Sequence, residues 1–303
     1  MSLEIQKIIN SSFGVRLVSA VGQGIPPWLG LRLSDFVAER ISAQRDSKMV
    51  RAVRANQWVI SGEKLERAAL DEAVRQTFRN AARSIFDLYH YIHNAAATDD
   101  LIVIDQTIQQ LFESREFGKR GLVVAGLHIS SFDFVLQALH LRGFRPMVLT
   151  IPDPGGGRRV EFEMRKRSGM NLVPVSVNTL RQAIKCLQRG GVVLTGIDRP
   201  IPNAKYRPRF FGRPASLPIH HVYLATRAHV PVMIMVTNPQ PDGRYTVITS
   251  KPIEMEPHPD RQVEMLRNAE KVLSISETFI LKVPHQWTIS LPVWPEALEQ
   301  VPD

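Results

Sequence analysis

From about residue 120 onward the chain repeats one pattern, a short apolar run followed by a stretch with helical spacing. The runs are Leu122 to Leu127, Pro146 to Ile151, Leu172 to Val175, Val192 to Ile197, Val230 to Val236 and Tyr245 to Thr249. Helical patterns lie between them over 131–142, 158–168, 178–189 and 217–228, and a long amphipathic one covers 259–282. Strands that are apolar on both faces and alternate with helices fit a sheet covered on both sides. The expected fold class is therefore α/β, with a central, mostly parallel mixed sheet flanked by helices. Pro239-Gln-Pro-Asp-Gly243 divides the last two runs, which read as an antiparallel hairpin at the edge of the sheet.

The first third of the chain has a different texture. Residues 33–60 and 63–93 read as two helices separated by Ser61 and Gly62. In the second, Leu65, Ala69, Ala73, Phe78, Ala82, Ile85, Leu88 and Tyr89 recur at helical spacing. Arg51, Arg54 and Asn56 on the first either face lipid or form a solvated polar face. Residues 1–35 mix Phe13, Leu17, Val21, Ile25 and Trp28 with glycine and proline, too broken a pattern to cross a bilayer. They either lie on a membrane, with Phe13 and Trp28 at the headgroups and Lys7 and Arg16 toward phosphate, or pack on the protein's own core. The expected organisation is a membrane-associating helical layer, 1–118, and an α/β core, 119–303, integrated into one domain.

The formal net charge of +9 asks for an anionic partner: nucleic acid, anionic lipid or an acidic protein. An aromatic RNA-binding signature, zinc-finger spacing and a lysine tail are all lacking, which argues against nucleic acid. The single cysteine, Cys186, has no second thiol for an internal disulfide or a zinc pair and reads as a small residue on a helix. No apolar run reaches 18 residues, so a membrane-crossing helix is not expected. The opening MSLEIQKIIN has no basic segment followed by an apolar one, so the cytoplasm is the expected compartment.

The run from Leu122 delivers His128 to the carboxyl end of a strand, where open α/β sheets place their ligands. Ser130 and Ser131 follow as helix caps, and Asp133 falls in the first turn of the next helix. If the loop folds back, Asp133 accepts from one ring nitrogen of His128, fixes its tautomer and leaves the other nitrogen as a base. Such a base takes the proton of an attacking alcohol. Amides at the helix start are candidate donors to an oxyanion. The plain alternative for Asp133 is helix capping. A serine hydrolase using Ser130 or Ser131 is a second chemistry, but Gly-x-Ser-x-Gly is absent around both.

The stretch Gly126-Leu-His-Ile-Ser-Ser-Phe-Asp133 resembles the H-x4-D/E block of the glycerolipid acyltransferase superfamily. It is most similar to the branch of the lipid A biosynthesis lauroyl and myristoyl acyltransferases and the phosphatidylinositol mannoside acyltransferases. Ile129, Ser130 and Ser131 depart from the usual residues, and Phe132 stands for a tryptophan. Four further blocks follow in order: Met164-Arg-Lys-Arg-Ser-Gly169, Gly190 to Asp198, Phe210-Phe-Gly-Arg-Pro-Ala215 and Pro284-His-Gln-Trp287. Arg54-Ala-Asn56 and Phe78-Arg-Asn80 fit as well, so the likeness covers about 45 to 290.

The resemblance implies transfer of a fatty acyl group from acyl-CoA or acyl carrier protein to a hydroxyl of a membrane glycolipid or lysophospholipid. It implies His128 as base with Asp133 as its partner, no metal and no cofactor beyond the acyl donor. It also implies peripheral attachment to the cytoplasmic face of an anionic membrane. Arg165, Asp198, Arg199, Phe210, Phe211 and Gly212 are the candidate substrate-binding residues. Two have plain alternatives: a solvated basic face for Arg165, and pairing with Arg199 for Asp198. Gly155-Gly-Gly157-Arg158-Arg159 resembles a phosphate cradle but lacks the lysine and spacing of a P-loop; the alternative is a mobile loop. A protein of this fold that binds lipid without turnover is the remaining alternative.

Overall fold

The structure, a computed structural model, describes residues 22–91, 95–104, 108, 120–152, 162, 163 and 165–302. Phe13, Lys7, Arg16, the Gly155–Arg159 stretch, and residues 158–161 and 164 of the 158–168 pattern lie outside the described residues.

Three helices open the described chain: α1 (Pro27–Ser42), α2 (Lys48–Ile60) and α3 (Arg67–Tyr91). The single helix expected over 33–60 is thus two. The chain turns at 43–47, and the Ser47 hydroxyl caps α2 by accepting from the Val50 amide at 3.2 Å. A short α4 (Ala95–Leu101) leads into β1 (Ile102–Ile104).

The α/β part follows the expected alternation: β2 (Leu122–Gly126), α5 (Phe132–Leu141), β3 (Met147–Thr150), β4 (Leu172–Pro174), α6 (Val177–Gln188) and β5 (Val192–Gly196). A two-residue ribbon, β6 (Arg209–Phe210) and β7 (Arg213–Pro214), precedes α7 (His220–Ala228). Then come β8 (Val232–Pro239), β9 (Tyr245–Thr249) and the long α8 (Arg261–Lys282), capped by Asp260 through the Gln262 and Val263 amides.

The sheet has seven strands in the order β1-β9-β8-β2-β5-β3-β4. Pairing is parallel except between β8 and β9. The hairpin β8–β9 is antiparallel as expected, but it is not the edge. β1 lies outside β9, pairing Ile102 with Tyr245. A three-residue strand is too short to show a pattern in the sequence. The fold is α/β, a mostly parallel mixed sheet flanked by helices with a helical N-terminal region.

Alternation along the strands divides the core between the two faces. Val123, Ala125, Val193 and Ile234 pack with Leu187, Leu224, Val272 and Leu273 on one side. Leu122, Val124, Leu194 and Met233 pack with Leu136 on the other. No helix of the described residues is long and apolar enough to cross a membrane.

The chain after α8 runs back as a strap held by the N-terminal helices. The Asn56 amide donates to the carbonyls of Ile289 and Leu291 at 3.0 and 2.9 Å and accepts from the Val293 amide at 3.1 Å. Gln57 donates to the Pro284 carbonyl at 3.0 Å, and Asn80 to that of His285 at 2.9 Å. Asn56 is buried, so it is a clamp and not a lipid-facing residue. Arg54 bonds Asp71 and the Pro302 carbonyl.

Candidate active site

The parallel register of β2 and β5 sets the site. Gly126 lies opposite Gly196, so His128 and Asp198 each stand two residues beyond the same rung. His128 Nδ1 lies 2.6 Å from Asp198 Oδ1, and the His128 amide donates to Asp198 Oδ2 at 2.8 Å. Trp287, on the strap, donates its indole N–H to Asp198 Oδ2, also at 2.8 Å.

Asp198 is fully buried. Burial alone would raise its pKa, but the His128 charge and the bonds from His128 and Trp287 outweigh that and leave it lowered. A buried carboxylate only accepts, so the proton of the neutral imidazole sits on Nδ1 and Nε2 is left as the basic nitrogen. The ring is packed edge-on against Phe132, with centroids 4.6 Å apart. Gly196 makes room for it, because a Cβ there would stand 3.1 Å from His128 Cε1.

The strap fixes the loop that carries the histidine. The Ser130 amide donates to the Gln286 carbonyl at 2.8 Å, and the Thr288 amide to the His128 carbonyl at 3.0 Å. Ser130 is held at φ +53°, a left-handed conformation costing a non-glycine residue about 1 kcal/mol.

Asp133 does not partner His128. It bonds Arg165 at 2.7 Å, and both side chains are partly buried. The acid beside His128 is therefore Asp198, not Asp133. Asp198, read as a substrate-binding residue, holds the histidine, and Asp133 holds Arg165. Arg199 follows Asp198 and is half-buried.

Phe210 is fully buried, its ring stacked on Trp294 at 5.5 Å and set edge-on to Trp287 at 6.0 Å. It forms part of the wall behind Asp198, not an open substrate surface. Phe211 (φ +49°) and Gly212 (φ +73°) make the tight turn between β6 and β7. Both central residues of such a turn need positive φ, which explains the glycine. The Phe211 amide donates to Glu277 at 2.5 Å. Phe210 is thus a core residue, while Phe211 is partly exposed and Gly212 exposed.

A cavity of about 570 Å³ adjoins the loop. Its walls are mainly apolar side chains of α1, α2 and α3, among them Leu33, Val37, Val53, Phe78, Ala82 and Phe86, and one end is closed by Ser130–Asp133. Sequence reasoning missed this cavity, since its walls come from three helices whose mutual packing leaves no local signal. Trp287 as a ligand of Asp198 was likewise missed, although the Pro284–Trp287 block pointed to the segment.

A histidine held by a buried carboxylate thus stands at the carboxyl end of a mostly parallel sheet, on the loop that leads to the residues lining an apolar cavity. The family model for the bacterial lipid A biosynthesis acyltransferases matches residues 2–295, and the chain belongs to that family of acyltransferases. No curated protein matches the chain.

Proposed function

We propose that the protein moves a fatty acyl group from acyl-CoA or acyl carrier protein to a hydroxyl of a membrane glycolipid or lysophospholipid. The observation that supports this reading is the His128–Asp198 pair, its histidine on the same loop as Ser130–Asp133, which line the apolar cavity. His128 Nε2 takes the proton of the acceptor hydroxyl as its oxygen attacks the thioester carbonyl. The carbonyl oxygen gathers negative charge beside the first amides of α5, where the helix dipole favours it. The carbon–sulfur bond then breaks, and the thiolate recovers the proton from the imidazolium. Arg165, steadied by Asp133, is suited to a phosphate of donor or acceptor. The mannoside acyltransferases remain the suggested branch, on the sequence blocks alone.

Purified protein given labelled acyl-CoA or acyl carrier protein, with a bacterial membrane lipid extract, should yield a labelled ester. Absence of any labelled lipid with either donor would remove the reading.

We further propose that α1 docks on an anionic bilayer. Trp28 and Phe36 are 60% and 56% exposed, and Leu29, Leu31 and Leu33 are exposed beside them. Arg32 and Arg40 lie over the Trp28 and Phe36 rings at 5.6 and 5.1 Å, placing cations within an apolar face. Leu33 and Ile85 belong both to that surface and to the cavity wall, so the cavity opens beside it. The protein should sediment with vesicles containing anionic lipid and much less with neutral ones. Replacing Trp28 and Phe36 together with alanine should weaken binding about tenfold or more. Equal sedimentation of wild type and variant would exclude α1 as the contact.

A further inference from the structure

A second, partly buried polar chain reaches the loop at Ser131, and the acyl-transfer steps above do not use it. Ser131 is the N-cap residue of α5, yet its hydroxyl makes no bond to its own helix. It donates instead to the Tyr245 hydroxyl at 3.0 Å. Tyr245, at the start of β9, donates in turn to Asp87 on α3. Burial pushes the Asp87 carboxyl up to about 6, with the Tyr245 bond and the nearby His90 and Arg83 charges opposing it. Asp87 accepts from the Tyr245 hydroxyl and so anchors the chain.

An unrestrained serine at an N-cap turns its oxygen onto the second or third amide of the helix, here Asp133 or Phe134. Asp133, which carries the second amide, lines the cavity together with Ser130, Ser131 and Phe132. A hydroxyl bonded to them would compete with any developing oxyanion.

We propose that Tyr245 and Asp87 are positioning residues: they draw the Ser131 hydroxyl off α5 and keep the first amides of that helix available to the reacting carbonyl. This rests on the acyl-transfer reading for its purpose, but the hydrogen-bond switch itself does not depend on it. The Tyr245 ring packs on Phe134 at 6.1 Å, so a phenylalanine at 245 keeps the packing and removes only the hydroxyl.

The prediction is a rescue. Tyr245→Phe frees Ser131 to cap α5, and kcat should fall roughly 100-fold, the loss that goes with one oxyanion donor, with KM little changed. Ser131→Ala, which has no hydroxyl to cap with, should lose far less kcat than Tyr245→Phe. The double variant Tyr245→Phe/Ser131→Ala should return to the level of Ser131→Ala. A merely structural role would make the double variant the worst of the three. Amide hydrogen exchange reads the switch without any substrate. The Asp133 or Phe134 amide should be more protected in Tyr245→Phe than in wild type, and not in the double variant. Unchanged exchange in Tyr245→Phe, or a double variant no better than Tyr245→Phe, overturns the proposal. Equal product from wild type and His128→Ala would sink the acyl-transfer reading, and the exchange measurement would still decide the switch.

Discussion

Replacing Asp198 with asparagine should lower kcat about 10⁴-fold with the fold intact, as expected for a base that loses its orienting carboxylate. The carboxylate accepts from three N–H groups: the His128 amide, His128 Nδ1 and the Trp287 indole. An asparagine offers one oxygen and one NH₂. Whichever way the amide turns, its NH₂ meets a donor. The least costly escape for the histidine is to accept that NH₂ at Nδ1 and carry its proton on Nε2. The imidazole then has no lone pair for the acceptor hydroxyl. His128→Ala should reach the same floor. Asp133→Asn makes the contrast. It breaks a partly exposed pair with Arg165, worth about 0.2–1 kcal/mol, and should act on KM for a phosphate-bearing substrate more than on kcat. Steady-state kinetics of the three variants, with melting curves as a fold check, decides the matter. An Asp133→Asn enzyme that is dead beside an active Asp198→Asn would mean that the working pair is not the one formed in this structure.

The partner of His128 illustrates what the sequence could reveal and why part of it stayed hidden. The apolar runs ending in His128 and Asp198 were legible as parallel strands, because each is buried on both faces and bounded by a helix. Both residues were recognisable as strand-end groups. Their pairing depends on which strands are neighbours and in what register, information that no local spacing carries. The nearby Asp133 therefore drew the role by proximity in sequence, while the true neighbour lay 70 residues away. The strap is a similar case. Asn56, Asn80 and Trp287 stood in recognisable blocks, yet only the folded chain brings two helices and the strap together behind Asp198. The cavity had no signal, because a helical apolar stripe reads the same whether it meets another helix or leaves a gap.

Phe210→Ala tests whether the Phe-Phe-Gly block supports the site or touches substrate. Its ring is fully buried between Trp294 and Trp287. Removing a buried phenylalanine costs about 3–5 kcal/mol in lost transfer energy and cavity, a large share of a total stability of about 5–15 kcal/mol. The melting temperature should fall by roughly 10 °C. The loss should also reach catalysis by a definite route. Trp287 would lose its backing, and its bond to Asp198 would loosen, so the folded fraction should show a lower kcat. KM should change little, because Phe210 has no open surface to offer a substrate. Phe210→Leu, which refills most of the volume, should recover most of the stability and kcat together. A residue that held substrate would behave in the opposite way, with an unchanged melting temperature and a raised KM. Phe211→Gly at the neighbouring position separates the turn from the core. Glycine takes φ +49° without strain, which offsets part of the lost contact of the Phe211 ring with Phe210 and Trp294, so that variant should melt well above Phe210→Ala.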